Sequence, residues 1–161
     1  MKQIKIETTV TLYSPAELPD QAQILIEKAV KAIEQAYAPY SHFQVGAAVL
    51  LENGVIVTGS NQENAAYPSG LCAERVALFS AGHQYPEVPV AALAIAASTG
   101  GKRVESISPC GACRQVMLET EQRQGKPIQV FLCGTEQILE VKNVEGLVPL
   151  CFGKGSLKMG E

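Results

Sequence analysis

Three cysteines and one glutamate, in two short motifs, are the residues of this chain whose types and positions most directly suggest chemistry. Glu74 stands two residues after Cys72, and Cys110 and Cys113 stand three apart further on. Zinc binds such thiolates tetrahedrally, and a site with three protein ligands leaves its fourth position open to water. The metal lowers the pKa of that water, and Glu74 is near enough in sequence to exchange protons with it. The spacing therefore predicts a catalytic zinc centre.

Helix-start signals precede both halves of this motif. A Pro-Ser-Gly turn at 68–70 comes before Cys72, and Ser-Pro at 108–109 comes before Cys110. Free backbone N–H groups and the positive end of a helix dipole favour the thiolate form there. Three thiolates on one zinc leave a negative charge, which hydrogen bonds from Arg75 to one or two sulfurs would offset. We therefore expect Arg75 to contact the ligand sulfurs and not the metal ion itself.

Helical and strand patterns alternate along the chain. Apolar residues at helical spacing predict a first helix between Pro19 and Pro39. Asn53-Gly54 between the apolar runs 45–51 and 55–58 predicts a β-hairpin. The remaining pattern predicts helices at 72–81 and 111–123 and strands at 88–97 and 128–133. This order contains a βαβ unit, so we expect part of the sheet to be parallel and the sheet to lie between helices.

Length and composition predict one domain over residues 1–161. The chain is 47% hydrophobic and 18% charged, enough for a sizeable core. Its start has no continuous apolar run, so we expect a cytoplasmic protein without a membrane partner. Five cysteines then favour metal binding over disulfides, with Cys133 and Cys151 left as packing thiols. A net charge of -3 without a basic run favours a small substrate over nucleic acid.

Each of these residues also has an ordinary explanation. A lone C-x-x-C is often a redox pair or half of a structural zinc site, and Glu74 alone would be a carboxylate favoured by a helix N-terminus. A structural zinc site usually has a fourth protein ligand. Neither His42, in a polar loop, nor His83, in a predicted turn, stands at a plausible spacing to supply one. The combination of residues is what indicates catalysis.

A second group of residues suggests what is bound. Asn61 and Glu63 stand two apart at the end of a strand, hence on one face in extended geometry. A carboxylate beside an amide suits a pair of sugar hydroxyls, although both residues are also common in turns. Phe43 opens the first strand and could stack on a heterocyclic base or enter the core.

The chain resembles the short, homotetrameric cytidine deaminases over about residues 20–153. Its C-x-E and P-C-x-x-C layout is the all-cysteine variant of the zinc deaminase signature. Four motifs follow the order of that family: APYSHFQVGAA at 38–48, NQENAAY at 61–67, CAER at 72–75 and SPCGACRQV at 108–116.

The resemblance implies a three-layer α/β/α sandwich around a mixed five-stranded sheet, with one Zn²⁺ per chain. It implies hydrolytic deamination of cytidine and deoxycytidine, in pyrimidine salvage, by a homotetramer with shared active sites. The residue roles that it implies are zinc ligands at Cys72, Cys110 and Cys113, a proton shuttle at Glu74, ribose contacts at Asn61 and Glu63, a stacking ring at Phe43, a further substrate contact at Ala73, and contacts to neighbouring subunits at Ala65, Tyr67 and Phe152.

Two features depart from the family pattern. Residues 1–18 precede its usual start, and an apolar Leu150-Cys151 pair stands before Phe152. We also expect the Gly/Lys-rich tail, 153–161, to be flexible. Two alternative functions remain. A blasticidin-type deaminase would share the zinc motif, but Asn61 and Glu63 fit a sugar better. A non-catalytic zinc-binding interaction module would not need Glu74.

Overall fold

The computed structural model of the chain describes residues 1–105 and 107–157. Within these residues, the helices are α1 (Asp20–Ala32), α2 (Ala73–Gln84) and α3 (Gly111–Gln124). The strands of the same described part are β1 (Thr11–Tyr13), β2 (Phe43–Leu51), β3 (Ile56–Ser60), β4 (Val90–Thr99), β5 (Lys102–Arg103), β6 (Gln129–Cys133) and β7 (Ile138–Val141). They form one sheet in the order β1-β7-β6-β4-β2-β3, with β5 paired to β4.

The sheet lies between α1 on one face and α2 with α3 on the other. Successive residues of β2 point to opposite faces, so Ala47 and Val49 pack in the core under α2 and α3, whereas Ala48 and Leu50 pack against α1. Strands β4 and β6 are parallel, and the pairs of β2 with β3 and β4 are antiparallel. The predicted three-layer sandwich around a mixed sheet is confirmed.

Most elements predicted from the pattern occur within a few residues of their expected bounds. The first helix is the exception, since its α-helical part ends at Ala32 and a 3-10 turn follows at Ile33–Gln35. The chain then turns away before Pro39, because the Tyr37 N–H donates to the Asn61 carbonyl in a bridge to the segment after β3. His83 lies in the last turn of α2 rather than in a turn beyond it.

The described part of the sheet has seven strands, so the expectation of five was wrong. The short β5 pairs only through Lys102 and Arg103. The pattern also did not predict β7 or β1, and β1 comes from the N-terminal extension and pairs with β7. The Tyr13 hydroxyl donates to Glu140 Oε2 at 2.9 Å, and Glu140 is buried. This contact secures the extension to the sheet edge.

The two cysteines outside the zinc motif differ in environment. Cys133 is fully buried, as expected of a packing thiol, but Cys151 is exposed. The prediction for Cys151 was wrong because the chain has left the core by this point. Within the expected flexible tail, Lys154–Leu157 forms a 3-10 turn, and residues 158–161 lie outside the described residues. In the part of the chain described, no helix has the length and apolar character needed to span a membrane.

Candidate active site

The topology brings the starts of α2 and α3 to one edge of the sheet. Strands β3 and β4 both pair antiparallel to β2, so they run in the same direction and their carboxyl ends share an edge. The chain enters α2 after β3 and enters α3 after β4 and β5. The two halves of the cysteine motif, remote in sequence, therefore meet at that edge.

Gly59 of β3 sets the depth at which α2 packs. A Cβ at Gly59 would lie 2.5 Å from the backbone nitrogen of Ala77 and 2.7 Å from the carbonyl oxygen of Ala73. No side chain fits in this space, so the α2 backbone rests directly on the strand. This close approach fixes the position of Cys72 and Glu74 relative to the sheet.

The three cysteines of the motif form a cluster with zinc-binding geometry. Cys72 and Cys110 occupy the N-cap positions of α2 and α3, and Cys113 lies in the first turn of α3. Their Sγ atoms all lie within 4.8 Å of one another, and those of Cys72 and Cys110 are 3.8 Å apart. Tetrahedral zinc with bonds of about 2.3 Å requires sulfurs roughly 3.8 Å apart. The donor set and its spacing therefore fit zinc with one position left for water.

The charge distribution favours the ligand form of Cys72. Hydrogen bonds from Cys113 and Arg75 lower the pKa of Cys72 to about 5, whereas bonding to that thiolate and burial raise the pKa of Cys113. Arg75 Nη2 donates to Cys72 Sγ at 3.7 Å, which agrees with the expected hydrogen bonds to one or two sulfurs. Arg75 therefore stabilises negative charge on the ligand set.

Glu74 is the carboxylate of this cluster that can move protons. Its side chain is 4% exposed, and burial raises the pKa of its carboxyl group. A carboxyl group with a raised pKa holds its proton more firmly than an ordinary one, so it can donate a proton as well as accept one. Glu74 lines the same cleft as Cys72 and Cys110. Its position next to the cysteines fits general acid and base work.

The cleft has a volume of about 650 Å³ and is lined by Phe43, Asn61 and Glu63. Both polar side chains bind the loop that carries Phe43. Asn61 Oδ1 accepts from the Val45 N–H at 2.8 Å, and Asn61 Nδ2 donates to the Phe43 carbonyl at 2.9 Å. Glu63 Oε2 accepts from the Tyr40 N–H at 2.9 Å. The two residues predicted to hold a sugar thus also shape the wall of the cleft.

The contacts of Ala65, Tyr67 and Phe152 to neighbouring subunits stay predictions, and Ala73 was expected to contact the substrate. Tyr67 lines the cleft, and its ring centre is 6.3 Å from that of Tyr40 in an edge arrangement. Ala65, Ala73 and Phe152 are not among the described residues that line the cleft. Ala73 is buried in the core, and the Phe152 ring is exposed to solvent.

Several lining residues were missed by reasoning from the sequence. Tyr40 and Ser41 stand in the same motif as Phe43 and could have been found through it, because a loop that presents one side chain to a cleft also presents its neighbours. Apart from them, the missed lining residues are Val45, Gln62, Asn64, Gly70, Leu71, Ile107 and Ser108.

Comparison with known proteins agrees with this geometry. Residues 19–125 match the family described as the cytidine and deoxycytidylate deaminase zinc-binding region. The chain is 44% identical over 130 residues to a cytidine deaminase of Halalkalibacterium halodurans, covering 81% of this chain and 92% of that protein. It is 44% identical over 133 residues to a cytidine deaminase of Sporosarcina psychrophila, covering 83% and 92%.

Solved structures show the same relationship in three dimensions. The crystal structure of a cytidine deaminase from Burkholderia pseudomallei superposes with a TM-score of 0.68 at 42% identity, covering 84% of this chain and all of that one. The cytidine deaminase from Mycobacterium tuberculosis gives a TM-score of 0.64 at 33% identity, covering 82% and 97%. The family match spans most of the elements that build the cysteine cluster and its cleft, and this chain accordingly belongs to the cytidine deaminase family.

Proposed function

We propose that this protein hydrolyses cytidine and deoxycytidine to uridine and deoxyuridine with release of ammonia, in pyrimidine salvage. The observation that carries the proposal is the buried Glu74 in one cleft with a cluster of three cysteines spaced for zinc. The relatives that bear the name cytidine deaminase support the substrate class.

The chain's own residues account for the proton transfers of this reaction. Cys72, Cys110 and Cys113 would hold the zinc ion, which would activate the attacking water. Glu74 accepts a proton from that water as its oxygen adds to C4 of the pyrimidine, and donates this proton to N3. It then accepts the proton of the hydroxyl newly bound to C4 and donates it to the leaving amine, so that C4 becomes a carbonyl carbon and ammonia leaves. Burial of Glu74 favours its protonated form between these transfers. Arg75 helps to keep Cys72 ionised.

Substrate binding is assigned to the cleft walls. Phe43 stacks on the pyrimidine, and Asn61 and Glu63 bind ribose hydroxyls. A substrate contact from Ala73 stays a prediction, since Ala73 is buried in the core and does not line the cleft within the described residues. Phe43 is 36% exposed, which leaves part of its ring available. Asn61 and Glu63 keep unused hydrogen-bonding capacity beyond their contacts to the loop.

We further propose a cytoplasmic homotetramer in which Ala65, Tyr67 and Phe152 reach the sites of neighbouring subunits. Tyr67 is 78% exposed and Phe152 is 58% exposed, and large apolar side chains this accessible suit a protein interface. Residues 1–161 would form one domain, with 1–18 as an extension.

The test is an ultraviolet assay on the purified protein, with metal analysis of the same sample. Cytidine, cytosine and blasticidin S are compared by kcat/KM for the wild type and for Glu63→Ala. We expect cytosine to be a very poor substrate, because it leaves the polar groups that face the sugar without partners, at ~1–3 kcal/mol per group. Glu63→Ala should lose most activity on cytidine and gain none on cytosine.

Comparable values for cytosine and cytidine would show that Asn61 and Glu63 are turn residues only. A clear preference for blasticidin S would replace the proposed substrate. Zinc without activity on any of the three compounds would favour a non-catalytic zinc-binding module.

A further inference from the structure

The Ser41 hydroxyl joins two parts of the cleft that the proposed function uses separately. Its Oγ donates to Glu63 Oε1 and accepts from the Phe43 N–H at 3.0 Å. The backbone turns sharply between these contacts, because His42 has a left-handed φ of 55°. This turn brings the Phe43 N–H back towards Ser41. One hydroxyl therefore connects the carboxylate assigned to the sugar with the residue assigned to the base.

The hydrogen bonds at Glu63 leave its two oxygens unequal. Oε2 accepts from the N–H groups of Tyr40 and Ser41, at 2.9 and 3.2 Å. Oε1 accepts only from the Ser41 hydroxyl among the described residues. An ionised carboxylate has about two acceptor positions on each oxygen. Oε2 is thus fully used, whereas Oε1 keeps one position open, and Ser41 determines the orientation of that position.

We infer that Ser41 is a positioning residue for the reaction, whose hydroxyl holds Glu63 so that Oε1 accepts a hydroxyl proton from the sugar of the substrate. The inference rests on the ribose contact of the proposed function and deepens it by naming the accepting atom. The vacant position accepts a proton, so the matching substrate group must be a donor such as a hydroxyl. The Ser41 hydrogen bond also lowers the pKa of Glu63 and keeps the carboxylate ionised.

Asn61 restrains the other end of the same loop. Its side chain binds the Phe43 carbonyl and the Val45 N–H, so the backbone remains tethered if Ser41 loses its hydroxyl. Removal of that hydroxyl should therefore free the Glu63 carboxylate without releasing the whole loop. This separation allows the role of Ser41 to be tested at an exposed position.

The experiment compares kcat and KM of the wild type, Ser41→Ala, Ser41→Thr and Glu63→Gln. The substrates are cytidine, deoxycytidine and dideoxycytidine, which lacks both ring hydroxyls. Ser80→Ala, on α2 away from the cleft lining, is the matched control. Thermal unfolding of every variant checks that it is folded.

For Ser41→Ala we expect the KM for cytidine to rise about ten-fold with kcat nearly unchanged, as for one lost charge-assisted hydrogen bond. Ser41→Thr restores the hydroxyl and should restore KM. Dideoxycytidine should be a weak substrate whose KM does not respond to Ser41→Ala. Deoxycytidine lacks only the 2′-hydroxyl, so the response of its KM to Ser41→Ala shows which hydroxyl is involved. Ser80→Ala should behave as the wild type.

Two results would overturn the inference, and they differ in meaning. If Glu63→Gln removes the preference for cytidine over dideoxycytidine but Ser41→Ala leaves every KM unchanged, Ser41 has no positioning role. If Glu63→Gln leaves that preference intact, the ribose contact of the proposed function is itself wrong and the role of Ser41 falls with it.

Discussion

In the proposed mechanism Glu74 exchanges protons with the reacting atoms but does not bind the zinc ion. Glu74→Gln should therefore keep zinc near one per chain while kcat falls by several orders of magnitude. The loss should exceed the roughly 10²–10⁴-fold usual for one acid–base group, because both proton transfers depend on it. Metal analysis and the cytidine assay on one preparation check this. Loss of zinc together with activity would make Glu74 a ligand.

Arg75 donates to Cys72 Sγ, so its removal leaves the zinc ligands more negative. We expect Arg75→Gln to weaken zinc retention by about 10–100-fold, the usual effect of changing a group behind metal ligands. Competition with a chelator measures the loss. Arg123→Gln, an exposed arginine in the last turn of α3, is the control and should retain zinc fully. Equal retention in both variants would contradict the role of Arg75.

The Glu63 carboxylate must be ionised to accept from a sugar hydroxyl. The Ser41 hydroxyl first, and then the Tyr40 N–H and the charge of His42, lower the pKa of Glu63. The contact is therefore present above this lowered pKa and is lost as the pH falls through it. The KM for cytidine should stay level from neutral pH down to the ordinary pKa of glutamate, about 4.3, and in Ser41→Ala it should begin to rise at a higher pH. Initial rates at several cytidine concentrations across this range decide the matter.

At the scale of residues, the cysteine cluster could be predicted because ligand type and spacing are written directly in the sequence. The contacts of Asn61 and Glu63 to the loop at Tyr40 to Val45 could not, because they join segments that only the fold brings together. Ser41 was overlooked for the same reason. A serine becomes informative only when its hydroxyl has known partners.

The close packing of α2 on β3 makes Gly59 a test of how elements position the site. Gly59→Ala places a methyl group within 2.5 Å of the Ala77 backbone nitrogen, so α2 must shift. We expect a loss of about 1–3 kcal/mol in the free energy of unfolding, as for other overpacked sites, together with weaker zinc binding. Urea unfolding and metal analysis measure the two effects.

Gly82→Ala, on the same helix, is the matched control for this substitution. A Cβ at Gly82 would have its nearest neighbour, Arg123 Nη2, at 3.8 Å. Alanine is a better helix former than glycine, so this variant should be as stable as the wild type or more so. Similar losses in both variants would show that the effect at Gly59 comes from the helix and not from its packing on β3.

At the scale of elements, periodicity and turn residues were enough to predict α2, α3, the hairpin and the central strands. These elements bury one regular face, so their spacing is visible in the sequence. Strand β1 was not predicted, because a run of three residues shows no period and its partner β7 is remote in the chain. The end of α1 was also missed, since a tertiary bridge at Tyr37 decides it.

A shared active site would be a property of the whole assembly. Glu74→Gln and Phe152→Ala proteins should each be weakly active alone. When they are unfolded together and reassembled, a Phe152→Ala chain can take a phenylalanine from its neighbour and form a complete site. We expect activity above the sum of the two parents.

The matched control replaces Phe152→Ala by Phe43→Ala. Phe43 and Glu74 line the same cleft of one chain, so mixing these two variants cannot complete a site and should give no gain. Sedimentation of the wild type gives the number of subunits. A monomeric wild type would contradict shared sites, and so would mixing of Glu74→Gln with Phe152→Ala that gives no gain in activity.

The assembly could not be derived from the chain's own periodicity, because an exposed aromatic ring does not identify what covers it.

The ligands Cys72 and Cys110 are separated by 38 residues, and the central strand β4 lies between them. A zinc ion that binds both cysteines closes the intervening chain into a loop, which costs conformational entropy. The packing of α2, β4 and α3 offsets this cost. A growing chain exposes Cys72 well before Cys110 has been synthesised. Metal uptake should thus follow the folding of the sheet's centre rather than nucleate it. A nascent chain that ends before residue 110 would have one thiolate and no means of retaining the ion.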